Sequence, residues 1–512
     1  MGQSAPLRPS TITSPGVFGL NKQNSGSLLP PQWATEALNA VFDDANRIAA
    51  RKGWLSVTTT PISGTPDLDV IFEYQKTSTD TKYVISAGGN DIFSGTTAPS
   101  SIKGAVSISA DNWKFVNFND KVYGIQAGHA LIEWAGTGNF AATTAASGSV
   151  PNGNEILGAF GRLWGTDSTG QTVKYSGLLD ATNWGATGAG SINLTSVWAT
   201  GADKIIALAA FNSILVVFGE RNIVLIADGS GSVVGMDPAN ARVQDVIGGI
   251  GCIARDSVQN INGDDLAFLS YSGVLSLRRV IEQTGNPLRD LSSNNRDYVN
   301  AKRYVNGVTT IRSTFNPTEG MYLLLMPVVG TIFYFNTSRM LEDGTWRTTE
   351  WDSFIPYSLT TLSDGRTTYS GINGEIFSYS GHQDDTAAYT FKYHSPWILD
   401  DSQIRDALKT LKRIESIQRV EGQITVTFKW FLDFSDTFYT ASKTLTAGGG
   451  GGEWSLAEFN EDEFGGTYGL VEIEVPAKKA GQFLKIGIET PINNNSYTLN
   501  QMQYFAKLGR LT

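Results

Sequence analysis

Residues 161–177 read GRLWGTDSTGQTVKYSG, two short runs with aromatic or β-branched bulk on either side of a polar turn ending in glycine. Trp164, Val173 and Tyr175 suit a pleated, half-buried strand, while Asp167, Ser168, Thr169 and Gly170 are turn formers, so the stretch reads as a β-hairpin. The same phrase returns along the chain. It appears before this copy at KYVISAGGNDIFSG (82–95) and DKVYGIQAGHALIEWAG (120–136), and after it at NSILVVFGERNIVLIADG (212–229) and DLAFLSYSGVLSLRRV (265–280). MYLLLMPVVGTIFYFN (321–336) and RTTYSGINGEIFSYSG (366–381) complete the series. The first-strand residues Tyr83, Tyr123, Trp164, Val216, Phe268, Leu323 and Tyr369 are spaced by about 40 to 55 positions, close to the repeat of propeller blades.

A four-stranded sheet standing alone leaves both faces and both edges open. Radial packing of several such sheets covers the faces and leaves only short edges. The expected fold is therefore all-β, a β-propeller of six or seven blades, with an extended N-terminal arm and a C-terminal β-sandwich-like domain. A large β-sandwich or a β-solenoid with accidental periodicity is the competing arrangement. Residues 1–54 form the arm, with a short helix expected from Pro31 to Phe42 on the spacing of Trp33, Ala37, Leu38 and Val41. Residues 55–385 hold the blades. Residues 386–512 carry an expected helix, Ser402 to Leu411, and then longer alternating strands such as IESIQRVEGQITVTFKWFLD, YGLVEIEVPA and FLKIGIETP. Between those strands, Gly448 to Gly452 precede EWSLAEFNEDEFGG. Five glycines predict a mobile acidic and aromatic loop, either an interaction finger or a plain hairpin tip.

Composition narrows the function classes. The chain has 512 residues, 55 of them Gly, with 17% charged residues and a net charge of −10. Proteins that grip nucleic acid cluster Lys and Arg against phosphates, and the densest basic stretch, Lys409 to Arg419, reads as a solvated face. Cys252 is the only cysteine, which rules out disulfides within the chain; it reads as a small buried hydrophobe. His129, His382 and His394 are scattered and predict no metal site. Met1 is followed by neither a basic start nor an apolar core, so no signal peptide is expected. The most apolar stretch, Ile205 to Phe218, is broken by Asn212 and Ser213 and reads as two strands and a turn, not a membrane span.

No motif carries catalysis, and no catalytic, cofactor-binding or metal-ligating residue is assigned. GGIGCIA (Gly248 to Ala254) loosely matches a dinucleotide fingerprint but lacks a strand–helix context, being expected to open a strand. Some propellers hydrolyse glycosides with two carboxyls about 5 to 9 Å apart. Asp264, Asp265, Glu350 and Asp352 are the candidates for such a pair. Asp264 and Asp265 stand in an NGDD turn, where turn formation is the simpler role.

Three stretches give the chain a resemblance to the tail nozzle, or tail hub, proteins of short-tailed bacteriophages. PGVFGLNKQNSGSLLPPQWATEALNAVFDDANRIAARKGW (Pro15 to Trp54) resembles that family's entry segment, in which a helix leads to an Arg-Lys-Gly turn. GRLWGTDSTGQTVKYSGLLDATNW (Gly161 to Trp184) has its R-L-W, V-x-x-S and D…W pattern. FNSILVVFGERNIVLIADG (from Phe211) and IGCIARDSVQNINGDDLAFLSYSGVLSL (from Ile250) resemble its following blades. The likeness covers about three quarters of the chain by pattern and departs most at the pentaglycine loop.

That resemblance implies a non-enzymatic virion protein without cofactors, made in the host cytoplasm and placed in the tail. Six copies would ring the outlet below a twelve-fold adaptor, or head-to-tail connector, with tail fibres or spikes attached nearby. Double-stranded DNA would pass through without being held, because six copies carry roughly −60 of charge, which repels phosphates. Two other classes compete: a carbohydrate-binding or glycan-depolymerising propeller, favoured by the many Trp and Tyr residues, and an intracellular scaffold propeller, disfavoured by the missing G-H…W-D signature.

Overall fold

The computed structural model describes residues 7–109, 112–228, 237–283, 290–398, 407–446 and 468–509. All seven hairpins are present at the residues read from sequence. The third, for example, pairs Arg162–Thr166 with Thr172–Tyr175, and the fourth pairs Ile214–Gly219 with Asn222–Asp228. By its contacts the chain forms two compact units. One comprises residues 56–331 and 355–379; the other gathers residues 1–55, 332–354 and 380–512. These units do not follow the chain-order division at 54 and 385.

The first unit is a seven-bladed β-propeller. Its blades begin with the inner strands Val70–Lys76, Lys114–Phe118, Ile156–Ala159, Ile205–Phe211, Gln259–Ile261, Arg312–Asn316 and Ser358–Thr361. Each adds antiparallel strands outward, four in each of the first four blades. Neighbouring inner strands pack side by side, except that Ile205–Phe211 meets the turn Arg255–Ser257 ahead of the fifth blade, and Ser358–Thr361 returns to lie beside Val70–Lys76. The entering chain also clasps the last blade. The Val57 N–H donates to the Ile376 carbonyl at 2.9 Å, the Ile62 N–H to the Gly374 carbonyl at 3.0 Å, and the Ile376 N–H to the Thr58 hydroxyl at 2.9 Å. First and last residues of the ring thus close it, which removes the free sheet edge. The sixth hairpin is divided: Met321–Met326 lies in the propeller unit, while nearly all of Thr331–Met340 belongs to the other.

Among the described residues two α-helices interrupt the blades, Leu277–Gln283 and Arg296–Asn306. Neither was legible as an amphipathic repeat, because only Val299 and Asn306 of the second are buried. That helix ends at Gly307, whose left-handed backbone (φ 77°) lets its N–H reach the Arg303 carbonyl.

The second unit is a β-sandwich. One sheet runs Tyr468–Gly481, Lys409–Glu421, Tyr497–Leu508, Ile48–Ala50, Ala40–Phe42, and Leu7–Thr13 adds to Tyr497–Leu508. Facing it are Thr331–Met340, Trp346–Trp351, Glu36–Leu38, Tyr389–His394, Leu484–Ile492, Gln423–Leu432 and Phe438–Thr446. Alternate residues of both sheets, among them Ile414, Ile473 and Tyr504 against Phe391, Phe428 and Ile486, fill one core.

The helix expected from Pro31 to Phe42 is absent. The segment is three short strands, Trp33–Ala34, Glu36–Leu38 and Ala40–Phe42. Asn39 has a left-handed backbone (φ 51°) that no helix accommodates, and its amide donates to Asp352 Oδ1 and to the Thr390 carbonyl, both at 2.9 Å. A helix of three turns is marginal alone, and pairing with neighbouring strands prevails. The helix expected over Ser402 to Leu411 lies partly outside the described residues, and from Lys409 onward the chain is strand. The pentaglycine loop and EWSLAEFNEDEFGG also fall outside them.

Arg51, from the Arg-Lys-Gly turn, ties the sandwich unit's three segments together. It is fully buried and forms a two-pronged ion pair with Asp384 at 2.8 and 2.6 Å. It also donates to Ser353 Oγ at 2.7 Å and Asn39 Oδ1 at 3.2 Å, and lies 4.2 Å over the Tyr389 ring. Gly53 follows because a Cβ there would meet the Gln383 carbonyl oxygen at 1.9 Å. Asp384→Ala leaves the buried guanidinium without its counter-charge, and a loss of about 3–5 kcal/mol is expected; denaturant unfolding of variant and parent chains checks it.

Candidate functional site at the propeller axis

Side chains from five of the seven inner strands converge on a cavity of about 240 Å³. Phe72, Trp113, Phe115 and Phe315 supply apolar wall, and Asp69, Lys114, Asp256 and Arg312 supply charge. At its heart is the consecutive pair Arg255 and Asp256, on a one-turn 3-10 helix, Arg255–Ser257, before the fifth blade. Arg255 holds Asp256 through Nε at 2.9 Å and Nη2 at 2.8 Å. Its remaining hydrogens go to carbonyls of other blades: Asn112 at 3.1 Å, Trp113 at 2.8 Å and Asn154 at 2.6 Å. Asp256 is also approached by Lys114 Nζ at 3.5 Å and Arg312 Nη1 at 3.3 Å. Arg312 in turn donates to the Asp69 carbonyl at 3.2 Å. The network therefore joins five of the seven blades at their inner ends.

Electrostatics within it is uneven. Burial alone would raise the Asp256 carboxyl, but Arg255, Lys114 and Arg312 outweigh it and hold the group far below the usual carboxylate range. Glu155 takes the opposite course. It is buried, its Oε1 accepts from the Ile156 N–H at 3.0 Å and lies 3.9 Å from Lys114 Nζ, and its Oε2 has no hydrogen-bond partner. Burial pushes it up to about 7, and Lys114 and Arg255 offset only part of that. Asp256 is thus a fixed anion and Glu155 a proton holder near neutrality.

The motif IGC.A..S has a physical reading here. A Cβ on Gly251 would meet the Gly219 carbonyl oxygen at 2.3 Å, so glycine permits the close backbone approach. The Cys252 thiol donates to the Ala254 carbonyl at 3.1 Å, and burial pushes it up to about 12, which makes it inert at neutral pH. Ser257 Oγ donates to the Ala254 carbonyl at 2.6 Å and accepts from the Leu269 N–H at 3.0 Å. GGIGCIA serves backbone packing and leads into the 3-10 helix, with a strand, Gln259–Ile261, only beyond it. The R-L-W…V-x-x-S phrase is equally structural. Arg162 donates to the Ser176 carbonyl at 2.8 Å, Ser176 Oγ accepts from the Leu163 N–H at 3.0 Å, and Trp164 is fully buried.

The carboxylate candidates do local work. Asp265 caps the helix Leu277–Gln283, accepting from the Arg278 N–H at 3.0 Å as well as from the Ser276 hydroxyl and the Leu266 N–H. Asp264 lines a shallow hollow beside Arg278 and Glu282. Glu350 and Asp352 lie in the sandwich unit, where the Glu350 carbonyl accepts from the Asn39 N–H at 2.7 Å and Asp352 accepts from the Asn39 amide. His129 bonds Ser109, His382 meets the Arg51 carbonyl, and His394 sits between Glu36 and Glu489. Arg255 and Asp256 were not singled out by sequence reasoning. The available signal was a charged pair inside the apolar run Gly251 to Val258.

No family model matches the chain, and no curated protein does. Among solved structures it is similar to the WD40 domain of Toxoplasma gondii coronin, at 13% identity over 74% of this chain and 86% of that one, TM-score 0.33. Kluyveromyces lactis Hsv2 matches at 10% identity over 66% of this chain and 95% of that chain, TM-score 0.30. YCF48 bound to D1 peptide matches at 10% identity over 66% and 100%, TM-score 0.33. The propeller assignment rests on the seven sheets and their closure. Among the described residues no helix is long and apolar enough to cross a membrane.

Two outcomes are expected at the axis. Asp256→Ala leaves three cations facing one another and costs about 3–5 kcal/mol, read by denaturant unfolding. Glu155 binds its proton more tightly folded than unfolded, so it lowers stability as pH rises from its ordinary value of 4.5 through about 7. Glu155→Gln removes that penalty. The gain in melting temperature over the parent should be larger at pH 8 than at pH 5, by the equivalent of about 1–3 kcal/mol.

Proposed function

We propose that the chain is a non-enzymatic structural subunit of a short bacteriophage tail. Six copies form a nozzle that extends the DNA-ejection channel below the adaptor and carries fibres or spikes. The observation that carries the reading is the occupied propeller axis. A cavity of about 240 Å³ crossed by ion pairs has no room for a duplex whose major groove alone is about 12 Å wide. A conduit built from this chain therefore runs between copies, as in a ring. The resemblance of the Arg-Lys-Gly turn and of the R-L-W and IGC.A..S phrases to the nozzle family supports the same reading, since each marks a residue with a defined packing duty. The net charge of −10 per copy suits a bore that does not hold phosphate.

A glycan-binding reading draws on the aromatic wall of the axial cavity, Phe72, Trp113, Phe115 and Phe315. Against hydrolysis stands Asp256, already paired with three cations. Mass photometry of the purified chain is expected to show hexamers, and negative-stain images of virions to place them at the tail. A chain that stays monomeric and is missing from particles, or that binds members of a glycan panel through the cavity, would overturn the nozzle.

A further inference from the structure

The sandwich unit displays an aromatic platform that its own core does not use. Phe434 lies between Trp397, at 4.9 Å between ring centres, and Phe483, at 4.7 Å. Phe431 and Phe438, at the same hairpin end, form a second pair 6.0 Å apart. Phe434 and Phe438 remain 49% and 51% exposed. Exposed aromatic rings grouped at one hairpin end point to an interaction surface rather than to scattered apolar residues.

Its geometry is held at a cost. Asp433 and Phe434 both have left-handed backbones, φ 52° and 59°, which a bulky residue adopts only where the surroundings enforce it. Here Asp433 Oδ1 accepts from the N–H groups of Gln482 at 2.6 Å and Phe483 at 3.0 Å, which locks the turn that presents Phe434. Two cations lie over the rings: Lys485 Nζ is 5.0 Å from the centre of Phe431 and Lys429 Nζ is 4.5 Å from that of Phe438. Lys429 also pairs with Glu489 at 2.8 Å. Burial lowers the Lys485 ammonium below its ordinary value, so a partner carboxylate there would relieve a desolvated charge.

The chain contains a complementary sequence. EWSLAEFNEDEF, residues 453–464, brings Trp454, Phe459 and Phe464 together with Glu453, Glu458, Glu461, Asp462 and Glu463, and has no basic residue. Strand register places the two ends of the segment. Thr446, before the segment, pairs with Gln423, and Tyr468, after it, pairs with Glu421. Both attachment points therefore lie at one end of the sandwich. The platform lies at the other, where Phe431 pairs with Phe438. The nine-residue strand Phe438–Thr446 spans about 30 Å at ~3.4 Å per residue. Phe464 stands four positions before Tyr468 and reaches at most about 14 Å from it. The segment cannot lay its whole length on its own platform.

We propose that residues 453–464 of one copy dock on the Trp397/Phe431/Phe434/Phe438/Phe483 platform of the next. The contact is head-to-tail, the heterologous type that closes into rings. It supplies the interface that the ring reading requires and rests on that reading.

Three full-length proteins test it: the parent, a chain with residues 453–464 replaced by a Gly-Ser stretch of equal length, and Phe434→Ala/Lys485→Glu. Circular dichroism and melting first verify that all three fold alike; the Gly-Ser exchange alters no residue of the described sheets. Each variant alone is expected to self-associate at least tenfold more weakly than the parent by analytical ultracentrifugation. Mixed one to one, they should form dimers and stop, because each pair retains a single intact contact. Cys252 is buried, so a disulfide between Trp454→Cys and Phe434→Cys is readable on a non-reducing gel, and a ladder of linked chains is expected. Parent-like rings from both variants would overturn the docking and leave the ring standing. A monomeric parent, in solution and in particles, would remove both. A disulfide closing within single chains, or rings lost by the platform variant but not by the Gly-Ser exchange, would assign the platform to another occupant.

Discussion

The propeller depends on one ion pair placed where its blades meet. Inner strands of a propeller bring their polar backbone ends to a common axis, and those groups need partners once water is excluded. Arg255 supplies them by donating to carbonyls from two other blades while Asp256 neutralises it and attracts Lys114 and Arg312. A buried ion pair is a poor source of stability in itself, since desolvation offsets most of the attraction. Its contribution here is geometric: the planar five-donor fork of arginine fixes the angular position of several sheets at once. The chain's closing bonds from Val57, Thr58 and Ile62 then act on blades already in register.

The sandwich unit applies the same solution with different residues. Arg51 and Asp384 are distant in sequence and meet in a dry site roofed by the Tyr389 ring. In both units a guanidinium with all its directions occupied stands where separate chain segments converge. Beside them stand Gly53 and Gly251, which allow close backbone approach, and Ser257, which bridges backbone groups.

The blades were legible in the sequence because a hairpin is a local object. Its strands alternate, its turn has a chemical signature, and neither depends on remote residues. All seven hairpins lie where that grammar puts them. The segment Pro31 to Phe42 misled for the opposite reason. Its residues have helical spacing, but Glu36–Leu38 is drawn into a sheet by strands more than 300 positions away, and Asn39 turns left-handed to make contacts that only the folded unit provides. The axial site was hidden in the same way. Lys114, Glu155, Asp256 and Arg312 carry no common motif, since what relates them is the rotation from blade to blade, which sequence spacing does not express.

The sandwich is assembled from both ends of the chain, and this orders events during synthesis. Among the described residues strand Leu7–Thr13 pairs with Tyr497–Leu508, so it leaves the ribosome long before that partner is translated. Every blade, by contrast, draws its pairs from near neighbours and needs only the early residues 56–62 to seal the ring. The blades can therefore close before Leu7–Thr13 has a strand to pair with, and the sandwich is completed after the disc.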